Sequence, residues 1–201
     1  MRRKIQDLKQ EIKTAEKTRD LNRKRRRRSG IKIVSMVGYT NAGKSSLFNV
    51  LCQKAHPSGK PQVEADDRLF QTLDTTTRKI ELGPGCEILI SDTVGFIQKL
   101  PHHLVAAFKS TLEEAAQADL LLHVIDISDP QNLEKLLVVE EVLRDLGAPE
   151  DKIIRVYNKI DKLPTPPADS NAIYISARQG SGIPALLNIV QRRLDDGYIS
   201  I

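Results

Sequence analysis

Apolar residues near the start of the chain recur at alternating spacings of three and four, at Ile5, Leu8, Ile12 and Ala15. That spacing predicts a helix over residues 1 to about 27 with one narrow apolar stripe on a charged rod. The stripe is too short for a coiled coil alone, and an isolated helix of this length is marginal in water. It therefore needs a surface to pack on. From residue 31 the pattern changes to apolar runs alternating with helical periods: IKIVSMV, KSSLFNVLC, RKIEL and CEILIS around GPG, HLVAAFKSTLEEAAQ, DLLLHVIDI, NLEKLLVVEEVLRDL, KIIRVYN, NAIYIS and PALLNIVQRRL. Runs without polar alternation, such as Leu120 to Ile127, predict strands buried on both faces. Strand and helix in alternation predict an α/β fold, a mainly parallel sheet with helices on both faces. RKIEL and CEILIS are joined too tightly for a crossover, so one antiparallel edge strand is expected.

Charge divides the chain more sharply than hydropathy does. The net charge of +5 conceals a segment, residues 1–28, with 13 Lys/Arg against 4 Asp/Glu; the remaining residues carry 18 against 22. This and the Ser29-Gly30 boundary give two expected regions: 1–28, a basic helical linker segment, and 29–201, the main domain. The run Arg23 to Arg28 is all cationic, which points to a polyanionic partner, nucleic acid such as RNA or an anionic membrane. No aromatic residues interleave for base stacking, so backbone contact is the extent of that expectation. A solvated linker is the plainer alternative. No apolar run reaches membrane-spanning length and no signal peptide opens the chain, so a soluble, cytoplasmic and monomeric protein is expected. Cys52 and Cys86 have no CxxC spacing and read as buried thiols, and the four histidines lack metal-ligand spacing.

The chemistry gathers at predicted strand ends. Gly38-Tyr39-Thr40-Asn41-Ala42-Gly43-Lys44-Ser45 fits GxxxxGK[ST] between a strand and a helix. Glycines there let backbone N–H groups wrap phosphates, Lys44 supplies charge to the β and γ oxygens, and the Ser45 hydroxyl ligates magnesium. After CEILIS comes Asp92-Thr93-Val94-Gly95. Its carboxylate can hold a magnesium-bound water, and its glycine can bring an N–H close to a γ-phosphate. Asn158-Lys159-Ile160-Asp161 closes KIIRVYN, and an aspartate at that place can accept both donors on the guanine edge, which adenine lacks. Ser176-Ala177 can offer a backbone N–H to the guanine carbonyl. Singly these read as polar turns; in this order, each at a strand's C-terminal end, they specify a nucleotide site.

GYTNAGKSSLFN, LFQTLDTTTRKI, DTVGFIQKLPHHLVAAFKSTLEE, LLLHVIDISD and NKID together resemble the GTPase domain of the HflX family. The resemblance runs from about residue 31 to the last helix, and the charged helix before it is similar to the family's linking helix. It implies a P-loop GTPase fold, GTP or GDP as ligand, Mg2+ as cofactor, and the large ribosomal subunit with its rRNA as partner, the family being known for splitting ribosomes. By position it implies phosphate or magnesium contacts from Gly38 through Ser46, with Ser45, Thr76 and Asp92 as magnesium residues. Guanine falls to Asn158, Lys159, Asp161, Ser176, Ala177 and Arg178, and the catalytic roles to Lys44, Thr76 and Gly95. Thr75 stands where the family usually has proline, so Thr75 or Thr77 can substitute for Thr76. The chain begins inside the linking helix, as an excised GTPase module would.

Phe96 stands where such turns often carry a water-orienting glutamine. Slow intrinsic turnover is expected, with help from the ribosome, a switch-loop residue, or K+ held through Asn41. A guanine-nucleotide-dependent binding module with negligible turnover, and a tRNA-modification partner GTPase, are the alternatives.

Overall fold

The computed structural model describes residues 30–55, 76–83, 85–93, 112–113, 115–165 and 172–196. The N-terminal helix, the long segment before Thr76, Thr75 itself, Gly95, Phe96 and most of HLVAAFKSTLEEAAQ lie outside the described residues.

Strands form where the apolar runs predict them: β1 (Lys32–Gly38), β2 (Thr76–Gly83), β3 (Cys86–Asp92), β4 (Leu120–Asp126), β5 (Ile153–Asn158) and β6 (Ile173–Tyr174). They make one sheet in the order β2-β3-β1-β4-β5-β6. β1 pairs parallel with β4, β4 with β5 and β5 with β6, while β2 pairs antiparallel with β3. The antiparallel pair lies at one margin, as the tight GPG connection requires.

Residues of alternate parity fill two cores. On one face Val34, Met36, Leu120, Leu122, Val124 and Val156 pack with Leu47, Phe48 and Leu51 of α1 (Lys44–Ala55) and with Ile183, Leu186, Val190 and Leu194 of α3 (Ile183–Asp196). On the other, Val37 and Leu121 pack with Val139 and Leu143 of α2 (Asn132–Asp145) and with Leu112 and Ala115. β4 is buried from Leu120 through Ile125, which is why its sequence shows no polar alternation. Each such side chain contributes about 1.5–3 kcal/mol by leaving water. The sheet is thus covered on both sides.

Two element boundaries differ from the sequence expectation. Thr76, two residues ahead of the predicted run RKIEL, is the first residue of β2 and the register partner of Asp92. The antiparallel ladder extends past RKIEL because Thr76 and Thr77 find partners in Asp92 and Ser91. NAIYIS yields only a two-residue strand: past Tyr174 the chain turns so that Ser176 bridges Ser181. Cys52 and Cys86 are free and half-buried rather than buried.

Candidate functional site

The turn between β1 and α1 sits at the C-terminal edge of the sheet, where the strand ends diverge. Its shape is fixed from below. The Asn158 side chain, at the end of β5, donates from Nδ2 to the Ala42 carbonyl at 2.9 Å and accepts from the Ala177 N–H at 3.0 Å. One buried amide thereby ties the phosphate loop to the turn after β6. Gly43 is required by the same contact: its φ is +92°, and a Cβ there would lie 2.3 Å from Asn158 Nδ2.

Lys44 is buried, and its Nζ donates to the Gly38 carbonyl at 3.1 Å and the Tyr39 carbonyl at 2.9 Å. Burial lowers its pKa to about 8 against the raising effect of Asp92. Ser45 Oγ donates to Asp92 Oδ2 at 2.6 Å, and Asp92 is fully buried. Hydroxyl and carboxylate converge as an all-oxygen pair that suits a hard divalent ion. Thr76 enters that neighbourhood through its register with Asp92. Ser46 is half-buried in the first turn of α1. Among the described residues no cluster of three His, Cys, Asp or Glu could hold a metal, so a magnesium site here needs hydroxyl, water and phosphate oxygens to complete it.

Asp161 lies in a 3-10 turn, Ile160–Lys162, and its Oδ1 accepts the Ser176 hydroxyl at 2.5 Å. Ser176 Oγ also accepts the Gln179 N–H at 3.1 Å, so the serine is a fixed post for the carboxylate. The backbone N–H groups of this turn are engaged within the protein, Ser176 with the Ser181 carbonyl and Ala177 with Asn158 Oδ1. Arg178 is exposed. Thr75, Gly95 and Phe96 lie outside the described residues; the described residues singled out for the site fall along this one edge.

Sequence reasoning missed Asp126, Asp129, Lys135 and His123 behind the loop, and how they join Lys159 and Asn41. Lys159 Nζ donates to the Asn41 carbonyl at 2.6 Å, reaches Asn41 Oδ1 at 3.3 Å and pairs with Asp126 Oδ2 at 2.8 Å. Lys135 Nζ lies 5.2 Å from the Tyr39 ring centroid and pairs with Asp129 at 2.5 Å, which lowers the Asp129 pKa chiefly through that hydrogen bond. A cavity of about 220 Å³ separates the loop from α2, walled by Tyr39, Asn41, His123, Asp126, Asp129 and Lys135 among others. His123 is buried, and desolvation lowers its pKa to about 4. The available signal was position: Asp126 ends a buried strand at the ligand-binding edge.

The protein family described as 50S ribosome-binding GTPase matches residues 33–159. Among curated proteins, the GTPase HflX of Caldanaerobacter subterraneus subsp. tengcongensis is 50% identical over 195 residues, covering 96% of this chain and 44% of that one. The GTPase HflX of Escherichia coli is 42% identical over 202 residues, covering 96% and 46%. The chain thus spans less than half the length of these relatives. Among solved structures, a GTP-binding protein from Sulfolobus solfataricus in complex with GDP superposes with a TM-score of 0.63 at 28% identity, covering 90% of this chain and 58% of that one.

Proposed function

Because the chain belongs to the HflX family of GTPases, we propose that it binds GTP with magnesium, hydrolyses it slowly, and uses the difference between the two nucleotide states to act on the large ribosomal subunit. The observation that carries this reading is the pair of hydrogen bonds of the Asn158 amide, donated to the Ala42 carbonyl and accepted from the Ala177 N–H, which holds the phosphate loop and the purine turn in one frame. Lys44 and the loop N–H groups would take the β and γ phosphates, Asp161 the guanine edge, and Ser45, Asp92 and Thr76 the magnesium side. Magnesium bound there would neutralise phosphate charge.

Slow turnover follows from Phe96, since a phenyl ring cannot orient water. Asn41 supports a potassium contribution: its side-chain oxygen would help hold the ion, whose charge would stabilise charge developing on the phosphates as an arginine finger does. Ribosomal action is supported by the match to the 50S ribosome-binding GTPase family and by the charge of residues 1–28. Residues 1–28 would form a linking segment and 29–201 the GTPase domain, acting as a cytoplasmic monomer. Single-turnover phosphate release, measured with and without large ribosomal subunits, tests the proposal. Stimulation by the subunit is expected. Nucleotide binding with no phosphate release in either condition would make the protein an occupancy-driven binding module instead.

A further inference from the structure

Two non-glycine residues among those described have positive φ, Asn41 at +61° and Lys159 at +68°. They face each other. A left-handed conformation costs such residues roughly 1 kcal/mol or more apiece and persists only where surrounding contacts over-determine it. Here the contact is the Lys159 ammonium, which donates to both Asn41 oxygens. Its remaining anchor is Asp126 Oδ2 at 2.8 Å.

Asp126 is itself held from two sides. Ser128 donates to Asp126 Oδ1 from its N–H at 3.0 Å and its hydroxyl at 2.6 Å. The register pair Asp126 with Asn158, and the Ile127 N–H bond to the Asn158 carbonyl at 3.1 Å, set the carboxylate beside the next residue of the β5 turn, Lys159. Tyr39 and Ala42 on either side pack on the apolar cores, but Asn41 is exposed and borders the 220 Å³ cavity. Polar bonds therefore hold this residue of the phosphate loop, and the Lys159 bridge is a principal one.

We infer that Asp126 is a positioning residue for nucleotide retention: its carboxylate holds the Lys159 ammonium against Asn41, and loosening that hold releases bound guanine nucleotide faster. The inference rests on the proposed nucleotide site. Loss of one charge-assisted bond from a pre-organised loop corresponds to about a tenfold change in dissociation rate. Association should change little, because the loop can still close around incoming phosphates.

The test is stopped-flow displacement of N-methylanthraniloyl-GDP from the full 201-residue chain. Asp126→Asn is expected to speed dissociation about tenfold with association within about twofold. Asp126→Glu, which keeps the charge, should recover part of the loss, and Ser128→Ala, which removes one bond to the carboxylate, should give a smaller acceleration and covers the case that Asp126→Asn fails to fold. In a Lys159→Met background Asp126→Asn should add little, because its route is gone. Unchanged dissociation in Asp126→Asn, or in Ser128→Ala if the former does not fold, overturns the inference, as does a full additional effect on top of Lys159→Met. Failure of the wild-type chain to bind the GDP probe at all would instead overturn the nucleotide site itself.

Discussion

Ser176 Oγ and Asp161 Oδ1 lie 2.5 Å apart, so the carboxylate proposed to read the purine is held by a neighbour whose own hydroxyl is fixed by the Gln179 N–H. A carboxylate anchored this way presents acceptors only, which match the paired donors of guanine. Asp161→Asn replaces one acceptor with a donor. GTP affinity should fall roughly a hundredfold while xanthosine triphosphate, with an exocyclic carbonyl oxygen in place of guanine's 2-amine, should bind better. Competitive calorimetry with GTP, ATP and the xanthine analogue checks this; equal ATP and GTP affinities in the wild type would remove the guanine assignment.

Asn41 should govern a cation preference. At equal ionic strength potassium should support faster GTP hydrolysis than sodium, and Asn41→Ala should abolish the difference. Its side-chain oxygen lies 3.3 Å from the Lys159 ammonium, so potassium can gain it only by displacing or sharing that contact. A steep, saturable potassium titration is expected in single-turnover assays. Identical rates in the two salts would leave activation to a partner in trans.

The fold was legible where one residue type decides the matter locally. Apolar runs located β1, β4 and β5, because burial on both faces leaves no room for polar alternation, and the glycine-rich turn announced its loop. What stayed hidden depends on residues far apart in sequence. Nothing local says that Asp126 meets Lys159, or that the Ser176 hydroxyl engages Asp161. Thr76 and Thr77 stood outside the predicted run RKIEL because a threonine-rich string has no periodicity; only the partners across the ladder, Asp92 and Ser91, pull them into β2.

His123 should make stability sensitive to mild acid. Its folded pKa is about 4, lowered from 6.5 mainly by burial, with Glu140 on α2 raising it and Arg155 on β5 and Lys44 on α1 lowering it further. A depressed folded value means the unfolded chain takes up a proton that the folded chain refuses. The contribution of neutral His123 is therefore intact above pH 6.5 and is lost as pH falls towards 4. Between pH 7 and 5 the loss should be about 2 kcal/mol. Urea midpoints at these pH values should show the decline, and His123→Leu should flatten it. A flat wild-type profile would contradict the burial.

Gly182 should tolerate no side chain. Its φ is +74°, and a Cβ would lie 2.2 Å from the Tyr174 carbonyl oxygen. Gly182→Ala should destabilise by about 2 kcal/mol or more and lower Tm by several degrees. A melting temperature equal to wild type would show that the turn before α3 can shift.

Removing residues 1–28 should abolish most RNA affinity while leaving GDP affinity nearly unchanged, because the remaining chain is net acidic. Filter binding across a salt series provides the measurement. Retained RNA binding after deletion would reduce the segment to a linker.

The alignment of β1 with β4 also sets a schedule for folding. The Ile33 N–H bonds the Asp119 carboxylate across 86 residues of chain, and Val34 pairs with Leu120 just beyond. Loop-closure entropy must be overcome before contacts of that separation give any return, which places the domain among slow folders. During synthesis β1 can complete its side of the sheet only after β4 has emerged from the ribosomal exit tunnel. Until then the apolar residues Val34, Met36 and Val37 are without their partners on β4, and that interval is when a nascent chain of this sequence would depend most on chaperones.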